Sequence, residues 1–332
     1  MMMHEESWNA EKLLRTSGSY WEACTLHTAV AMGIFSLLGN EYLEAEDLAQ
    51  KTNSSTRALS MLLNALAAMG LLIKTGERYA NTAAANTFLN KSSPHYCGYL
   101  IGHHEQAVKA WANLAQAVRS GKPLKQQPYN EEEERESFLM GMHNLAMAIA
   151  PALSQQVDLR GRKHLIDVGG GPGTYAIFFC LANPRLKATV FDLEATAPFA
   201  LRTIEQFGLP NRIDFMAGDY LREDMRGSYD VAMLSHILHA EGPDTCQEII
   251  ERTMKVLEPG GLILVHEFIL GDTFDQPLFP ALFSLNMLIN TPQGQTYSES
   301  QITQMLSDAG VRDVTRLLFR GPNDSGVIAG TV

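Results

Sequence analysis

The stretch His164-Leu165-Ile166-Asp167-Val168-Gly169-Gly170-Gly171-Pro172-Gly173-Thr174 decides how the rest of the chain is read. Its apolar run, Leu165 to Val168, predicts a buried strand that breaks into a glycine cluster, and Tyr175 to Leu181 resumes as a helix. Glycines at 169, 171 and 173 allow a sharp turn and the close approach of a ligand that a Cβ would exclude. The helix beyond them starts with unpaired N–H groups aimed at that ligand. Gly171 to Ala176 also fits the dinucleotide pattern G-x-G-x-x-A, with Asp192 following at about the ~20-residue spacing of a ribose-binding acid. Asp167, on the strand just before the first glycine, shifts the balance. A carboxylate there is unhelpful beside a pyrophosphate and suits a ligand with a cationic amino group.

At 332 residues the chain is long enough for one large or two ordinary domains. Its 45% apolar and 19% charged residues are those of a soluble globular protein. A formal net charge of −11 argues against nucleic acid or an anionic membrane as partner. No apolar run reaches the ~20 residues of a transmembrane helix. The opening Met-Met-Met-His-Glu-Glu lacks the basic-then-apolar order of a signal peptide. Cys24, Cys97, Cys180 and Cys246 are scattered without a C-x-x-C pair, as free thiols in a reducing compartment are, so a cytoplasmic location is expected.

Upstream of the glycine stretch, residues 18 to 38 predict an apolar-rich helical segment punctuated by Gly33 and Gly39. Leu43 to Ala49 reads as a short helix. Thr56 to Met69 is strongly amphipathic, with Leu59, Leu62, Leu63, Leu66 and Met69 at helical spacing, and Gly70 stops it. Leu71 to Ile73, a turn at Gly76, and Tyr79 to Thr82 predict a two-stranded wing. Helix, helix, wing is a winged-helix order, so a small-molecule-sensing DNA regulator is an alternative. The outward side of the second helix offers Thr56, Ser60, Asn64 and a single cation, Arg57, which favours packing against a partner over reading DNA. Residues 95 to 120 predict one helix. Glu131 to Glu134 reads as a solvated helix start. From Phe138 a helix carries a Met-rich stripe, a core feature placed to share in a ligand pocket.

Downstream, strands alternate with helices. Ala188 to Asp192, Arg212 to Asp219, Tyr229 to Ser235 and Leu262 to Glu267 predict four further strands, the last entered through a turn at Pro259-Gly260-Gly261. Ser298 to Gly310 is a helix, and Val314 to Phe319 with Val327 to Val332 closes the sheet. Such alternation builds a parallel sheet whose ligand sits outside the carboxyl ends of its strands. Asp192, Asp219 and Ser235 all fall at those ends.

The glycine stretch resembles the first motif of the class I S-adenosylmethionine-dependent methyltransferases. The resemblance extends over nearly the whole chain, through Gly70 to Leu72, Phe138 to Met142, Phe191 to Leu193, Gly218 to Tyr220, Ile237 to His239 and Pro259 to Gly261. The sequence is similar to small-molecule O-methyltransferases of the caffeate, hydroxyindole and bacterial tailoring kinds. That implies an α/β fold: residues 96–332 as a Rossmann-like doubly wound sheet, mostly parallel with an antiparallel last strand, and residues 96–155 as helical connector and pocket wall. Residues 1–95 would be a mainly α, winged-helix-like dimerisation domain, and the protein a homodimer. The implied cosubstrate is S-adenosyl-L-methionine, released as S-adenosyl-L-homocysteine. Its expected set is Asp167, Gly169, Gly171, Gly173, Asp192, Leu193, Gly218, Asp219, Tyr220 and Ser235, with Asp167 and the glycines at the methionine end, Asp192 at the ribose and Asp219 at the adenine. A nicotinamide dehydrogenase is the rival that shares the sheet and Asp192.

By the same resemblance His239 is the general base and Glu267 the carboxylate beside it, acting without metal. His236, His239 and His266 have no further ligand at a recognisable spacing, so no metal is expected. The sequence departs from the family where an acid or amide and a Trp usually follow the base, here Ala240 and Glu241, and where a second glutamate is usual, here Thr296. These departures leave methylation at nitrogen or carbon, or a relative that keeps the cosubstrate without methylating, as alternatives to an aromatic hydroxyl. Met142, Phe283, Met287, Asn290 and Thr291, with Trp111, are the expected wall for a small aromatic or heterocyclic acceptor.

Overall fold

The computed structural model describes residues 8–124 and 131–332, apart from the side chains of 131–134. The opening residues and the acidic side chains at Glu131 to Glu134, both read above, lie outside the described part. Two units divide between Ala107 and Val108. The boundary expected at residues 95 and 96 lies just before the helix that runs through this division.

In the first unit, α1 (Ala10–Gly18) and α2 (Tyr20–Ala31) precede α3 (Ile34–Leu38), which starts from Gly33 at a φ of 67°. Next come β1 (Leu43–Glu44), α4 (Ala45–Thr52) and α5 (Thr56–Ala68). Leu43 and Glu44 leave the expected helix because they pair with Tyr79 and Arg78. β2 (Leu72–Thr75) and β3 (Arg78–Asn81) turn at Gly76 and form a sheet in the order β1-β3-β2, followed by α6 (Ala83–Phe88). Leu59, Leu63 and Leu66 on α5 bury one face against Ile34, Phe35, Leu48 and Tyr79. No residue of α1 is buried, and Leu13, Leu14, Tyr20 and Trp21 stay exposed.

The helix expected over 95 to 120 is broken into α7 (Gly98–Trp111) and α8 (Leu114–Ser120). Asn113 leaves helical geometry at φ −107° and ψ 14°, and its side-chain amide donates to the Lys109 carbonyl at 2.9 Å. An asparagine that bonds its own backbone competes with helix continuation. α9 (Glu131–Met147) and α10 (Ala150–Gln156) then lead to the sheet.

That sheet is built from β4 (His164–Val168), α11 (Thr174–Ala182), β5 (Lys187–Asp192), α12 (Ala197–Gln206), β6 (Ile213–Ala217), β7 (Tyr229–Ser235) and α13 (Pro243–Met254). β8 (Leu257–Phe268), α14 (Leu278–Asn290), α15 (Glu299–Asp308), β9 (Arg312–Arg320) and β10 (Ser325–Thr331) complete it. Its seven strands run β6-β5-β4-β7-β8-β10-β9. β4 to β8 run parallel to one another, and β10 is antiparallel to both of its neighbours, β8 and β9, the mixed sheet the sequence implies. Pro259 to Gly261 is not a turn before the strand but a bulge within it: Tyr229 pairs with Leu257 and Val231 with Leu262. Separate apolar layers cover the two faces. The register sets Val168 beside Phe191 and Leu234, and Ser235 beside His266, so the candidate residues gather along one edge.

Leu63 is fully buried in the first unit. Leu63→Ala should therefore lower unfolding free energy by about 2–5 kcal/mol in denaturant titration. A change within about 0.5 kcal/mol, the scale of a surface substitution, would contradict this packing.

Candidate active site

The loop after β4 needs its glycines. Gly169, Gly171 and Gly173 have φ of 64°, 53° and 76°, in the left-handed region. A Cβ on Gly169 would lie 2.7 Å from Ile237 Cγ2, and one on Gly170 2.7 Å from Asp167 Cγ. Asp167 is thus wedged beneath the loop, fully buried. Its Oδ2 accepts from the Ala176 N–H at 3.3 Å, and its Oδ1 has no hydrogen-bond partner among the described residues. Burial, reinforced by the charge of Asp192, pushes this carboxyl up to about 7.

Asp192 braces the same loop. Its Oδ2 accepts from Gly171 N at 2.8 Å, while Oδ1 accepts from Leu193 N at 2.7 Å and the Thr196 hydroxyl at 2.9 Å. Three donors leave acceptor capacity on a carboxylate with about four lone-pair sites. Gly218 N donates to the Asp192 carbonyl at 3.0 Å, which ties the end of β6 to that of β5. Asp219 accepts from Leu221 N at 2.9 Å, and the Tyr220 ring reaches within 3.3 Å of where a Cβ of Gly169 would stand. Leu193 is exposed. Asp167, the glycines, Asp192, Gly218, Asp219 and Tyr220 therefore share one edge of the sheet. Ser235 turns instead to His266, with its hydroxyl 3.0 Å from Nδ1.

His239 lies in the 3-10 turn Leu238–Ala240 beyond β7, and Glu267 near the end of β8. The two meet: His239 Nδ1 is 2.8 Å from Glu267 Oε2. Glu267 is buried, and its Oε1 accepts from the Leu238 and His239 backbone N–H groups at 3.0 and 3.3 Å. Burial alone would raise the Glu267 carboxyl, but His239 and His236 beside it hold it well below the usual carboxylate range. His236 Nδ1 stands 3.6 Å from the same Oε2. His236 adopts a φ of 57°, a conformation that costs a non-glycine residue about 1–3 kcal/mol. A ligating atom from each of His236, His239 and Glu267 falls within one 4.8 Å cluster. Two of those atoms already face each other at hydrogen-bond distance.

Beside His239 the rings of Phe268 and Phe283 lie at 6.1 and 4.9 Å, and Phe279 packs on both at 4.9 and 5.8 Å. Phe283 is thus brought to His239, and Met287, one turn on, is buried. Thr291 is spent on the end of α14: its hydroxyl donates to the Met287 carbonyl and accepts from Gly294 N, both at 2.9 Å. Asn290 is exposed, with its amide on the Asn286 carbonyl at 2.8 Å. Trp111 donates to Asn286 Oδ1 at 3.0 Å. Met142 is half-buried on α9, whose His143 joins the Thr174 hydroxyl at 2.9 Å and so ties α9 to the start of α11. Thr296 is buried against the Ser284 hydroxyl and the Pro280 carbonyl. Sequence reading missed Phe268, Phe279, Asn286 and the closeness of His236. The helical spacing of Phe279, Phe283 and Asn286 was the available signal.

Residues 110–312 match the O-methyltransferase domain family, and residues 14–91 the O-methyltransferase dimerisation domain. The chain belongs to the O-methyltransferase family. It is 33% identical over 317 residues to 3-hydroxy-5-methyl-1-naphthoate 3-O-methyltransferase of Streptomyces sahachiroi, covering 93% of this chain and 92% of that one. It is 29% identical over 314 residues to an N,N-dimethyltransferase of Streptomyces rimosus, covering 91% of each. The crystal structure of human N-acetylserotonin methyltransferase in complex with SAM superposes with a TM-score of 0.86 at 26% identity, over 99% of both chains. As a family member the chain is an S-adenosylmethionine-dependent methyltransferase, which decides against the nicotinamide reading. No helix among the described residues is long and apolar enough to cross a membrane.

The glycine cradle and the unpartnered Oδ1 of Asp167 fit a ligand that brings a cationic amino group. Because the Asp167 carboxyl is raised on folding, from 3.8 to about 7, folding takes up a proton. Its contribution to stability is present at low pH and lost as pH rises through that window. In Asp167→Asn, denaturation across the same window should show a shallower fall of stability with rising pH. An unchanged slope would contradict the buried, raised carboxyl.

Proposed function

We propose that this methyltransferase acts on a hydroxyl of a small aromatic molecule, with His239 as general base. The contact between His239 Nδ1 and Glu267 Oε2 at 2.8 Å carries the reading. An ionised carboxylate only accepts, so Nδ1 bears the proton and Nε2 keeps the lone pair that a base needs. A phenol has a pKa near ~10, so an imidazole that takes its proton during attack raises its nucleophilicity at neutral pH. Glu267 then stabilises the imidazolium that forms. The ring wall of Phe268, Phe279 and Phe283 suits a flat acceptor held against the base. Met142, Met287 and Trp111 are assigned to the same wall, and Asn290 and Thr291, at the end of α14, to its rim.

When bound, S-adenosyl-L-methionine supplies an electrophilic methyl group on a sulfonium. Asp167, Gly169, Gly171 and Gly173 would hold its methionine end, Asp192 with Leu193 its ribose, and Gly218, Asp219 and Tyr220 its adenine. Ser235 supports the set through His266. A nitrogen acceptor is the second reading. It is favoured by Thr296, which is tied to Ser284 and leaves Glu267 without a carboxylate companion at that position.

His239→Ala should lower kcat by ~10²–10⁴ toward naphthol acceptors, with cosubstrate affinity nearly unchanged. The loss should grow as the acceptor becomes less acidic, and Glu267→Gln should cost less. A loss independent of acceptor pKa would reduce His239 to a positioning role.

The dimerisation-domain match and the exposed Leu13, Leu14, Tyr20 and Trp21 support a homodimer. Light scattering at micromolar concentration should give twice the chain mass. A clean monomer would contradict the pairing.

A further inference from the structure

His236 is not needed to explain the base, yet its backbone takes the sparsely populated left-handed region to place it there, at a φ of 57°. Its N–H is fixed to the His266 carbonyl at 2.9 Å. The ring is packed between His266 at 4.3 Å and Phe268 at 4.4 Å. Neither ring nitrogen has a hydrogen-bond partner among the described residues. The charged acceptor beside it is Glu267 Oε2, 3.6 Å from Nδ1, the same oxygen that holds His239 at 2.8 Å. A sub-ångström movement of the ring closes that gap to a hydrogen bond.

We propose that His236 is a positioning residue that shares Glu267 Oε2 with His239. Its ring N–H draws part of the carboxylate's charge to itself and so loosens the hold of Glu267 on the His239 Nδ1 proton. The proposal rests on the reading of His239 as base. A carboxylate serving one imidazole alone favours that imidazole's protonated form more than one whose charge is shared with a second donor. A second, neutral donor on the same oxygen weakens the hold without adding a charge.

The surroundings suit such a role. From β8, His266 faces His236 with its Nδ1 engaged by Ser235. Burial holds His236 and His266 below the ordinary histidine range, so both are neutral near pH 7. Tyr175 of α11 approaches His266 at 5.5 Å, with Asp167 behind it. Cys246 of α13 and Tyr297 before α15 also face Glu267, and burial pushes the Cys246 thiol up to about 12 and raises both tyrosine hydroxyls. The α14 side contributes uncharged phenylalanines.

The test is an NMR titration of the full-length enzyme carrying ¹³C-labelled histidine, with His239 assigned by the signal lost in His239→Ala. His236→Gly relaxes the strained backbone and removes the donor. His236→Asn tolerates the same backbone and returns an N–H at the same distance along the side chain. In His236→Gly the His239 midpoint should rise by roughly half to one pH unit, about 3–10-fold in proton affinity, and in His236→Asn it should return toward wild type. A residue with a merely structural role would lower the melting temperature and leave the midpoint in place. An unmoved midpoint in His236→Gly overturns the proposal, and so does an equal rise in both variants. The titration needs no methyl acceptor, so its failure is separate from failure of the base assignment, which the kinetics of His239→Ala decide.

Discussion

A carboxylate removed from water must be met by donors or it will not stay charged. Glu267 meets that constraint with two backbone N–H groups on one oxygen and the His239 imidazole on the other. Each donor arrives from the turn that follows β7, so the turn is held to β8 by the carboxylate it satisfies. The parallel register of β7 with β8 makes this possible, because Ser235 lies beside His266 and the next residues face each other across the strand ends. The His239 imidazole, its orientation and the course of the chain after β7 are one interaction seen from three sides.

The edge around the glycine loop is built on the same logic with different donors. Asp192 ends β5 and accepts from the glycine loop after β4, while the Gly218 N–H returns from β6 to the Asp192 carbonyl. Three loops are thereby fastened at one carboxylate and one carbonyl. Asp167 sits beneath them, with its charge disfavoured by burial. The sheet therefore presents two acids with opposite perturbations on β4 and β8, with β7 between them: Asp167 raised and Glu267 lowered. Glu267 has partners whose charge or N–H favours its ionised form, and Asp167 has one backbone N–H and an oxygen left over.

Much of this was legible in the sequence. Glycines after a strand-forming run that carries Asp167 and ends at Val168 serve a turn, and acids at the ends of short β-rich segments come to one edge of a parallel sheet. The wall was legible in part. Phe283 and Met287 follow helical spacing onto the inner side of α14, but Asn290 at the end of that helix faces out and Thr291 is consumed in capping it. Local competition escaped pattern reading. Asn113 breaks a helix by bonding its own backbone, and the bulge at Gly260 depends on a partner strand far away in sequence. The backbone conformation of His236 is likewise invisible in residue order, since nothing in Ser235-His236-Ile237 demands a positive φ.

The central claim is that the chain places an imidazole to take the proton of an aromatic hydroxyl. The most direct measurement is the identity of the atom that receives the methyl group. The purified enzyme would be incubated with S-adenosyl-L-methionine carrying a ¹³C-labelled methyl group and a panel of hydroxynaphthoates and aminonaphthoates. Carbon NMR of the products should show the label as an aryl methoxy carbon, formed from the hydroxy compounds. Label found only as N-methyl, C-methyl or methyl ester carbon would contradict the account.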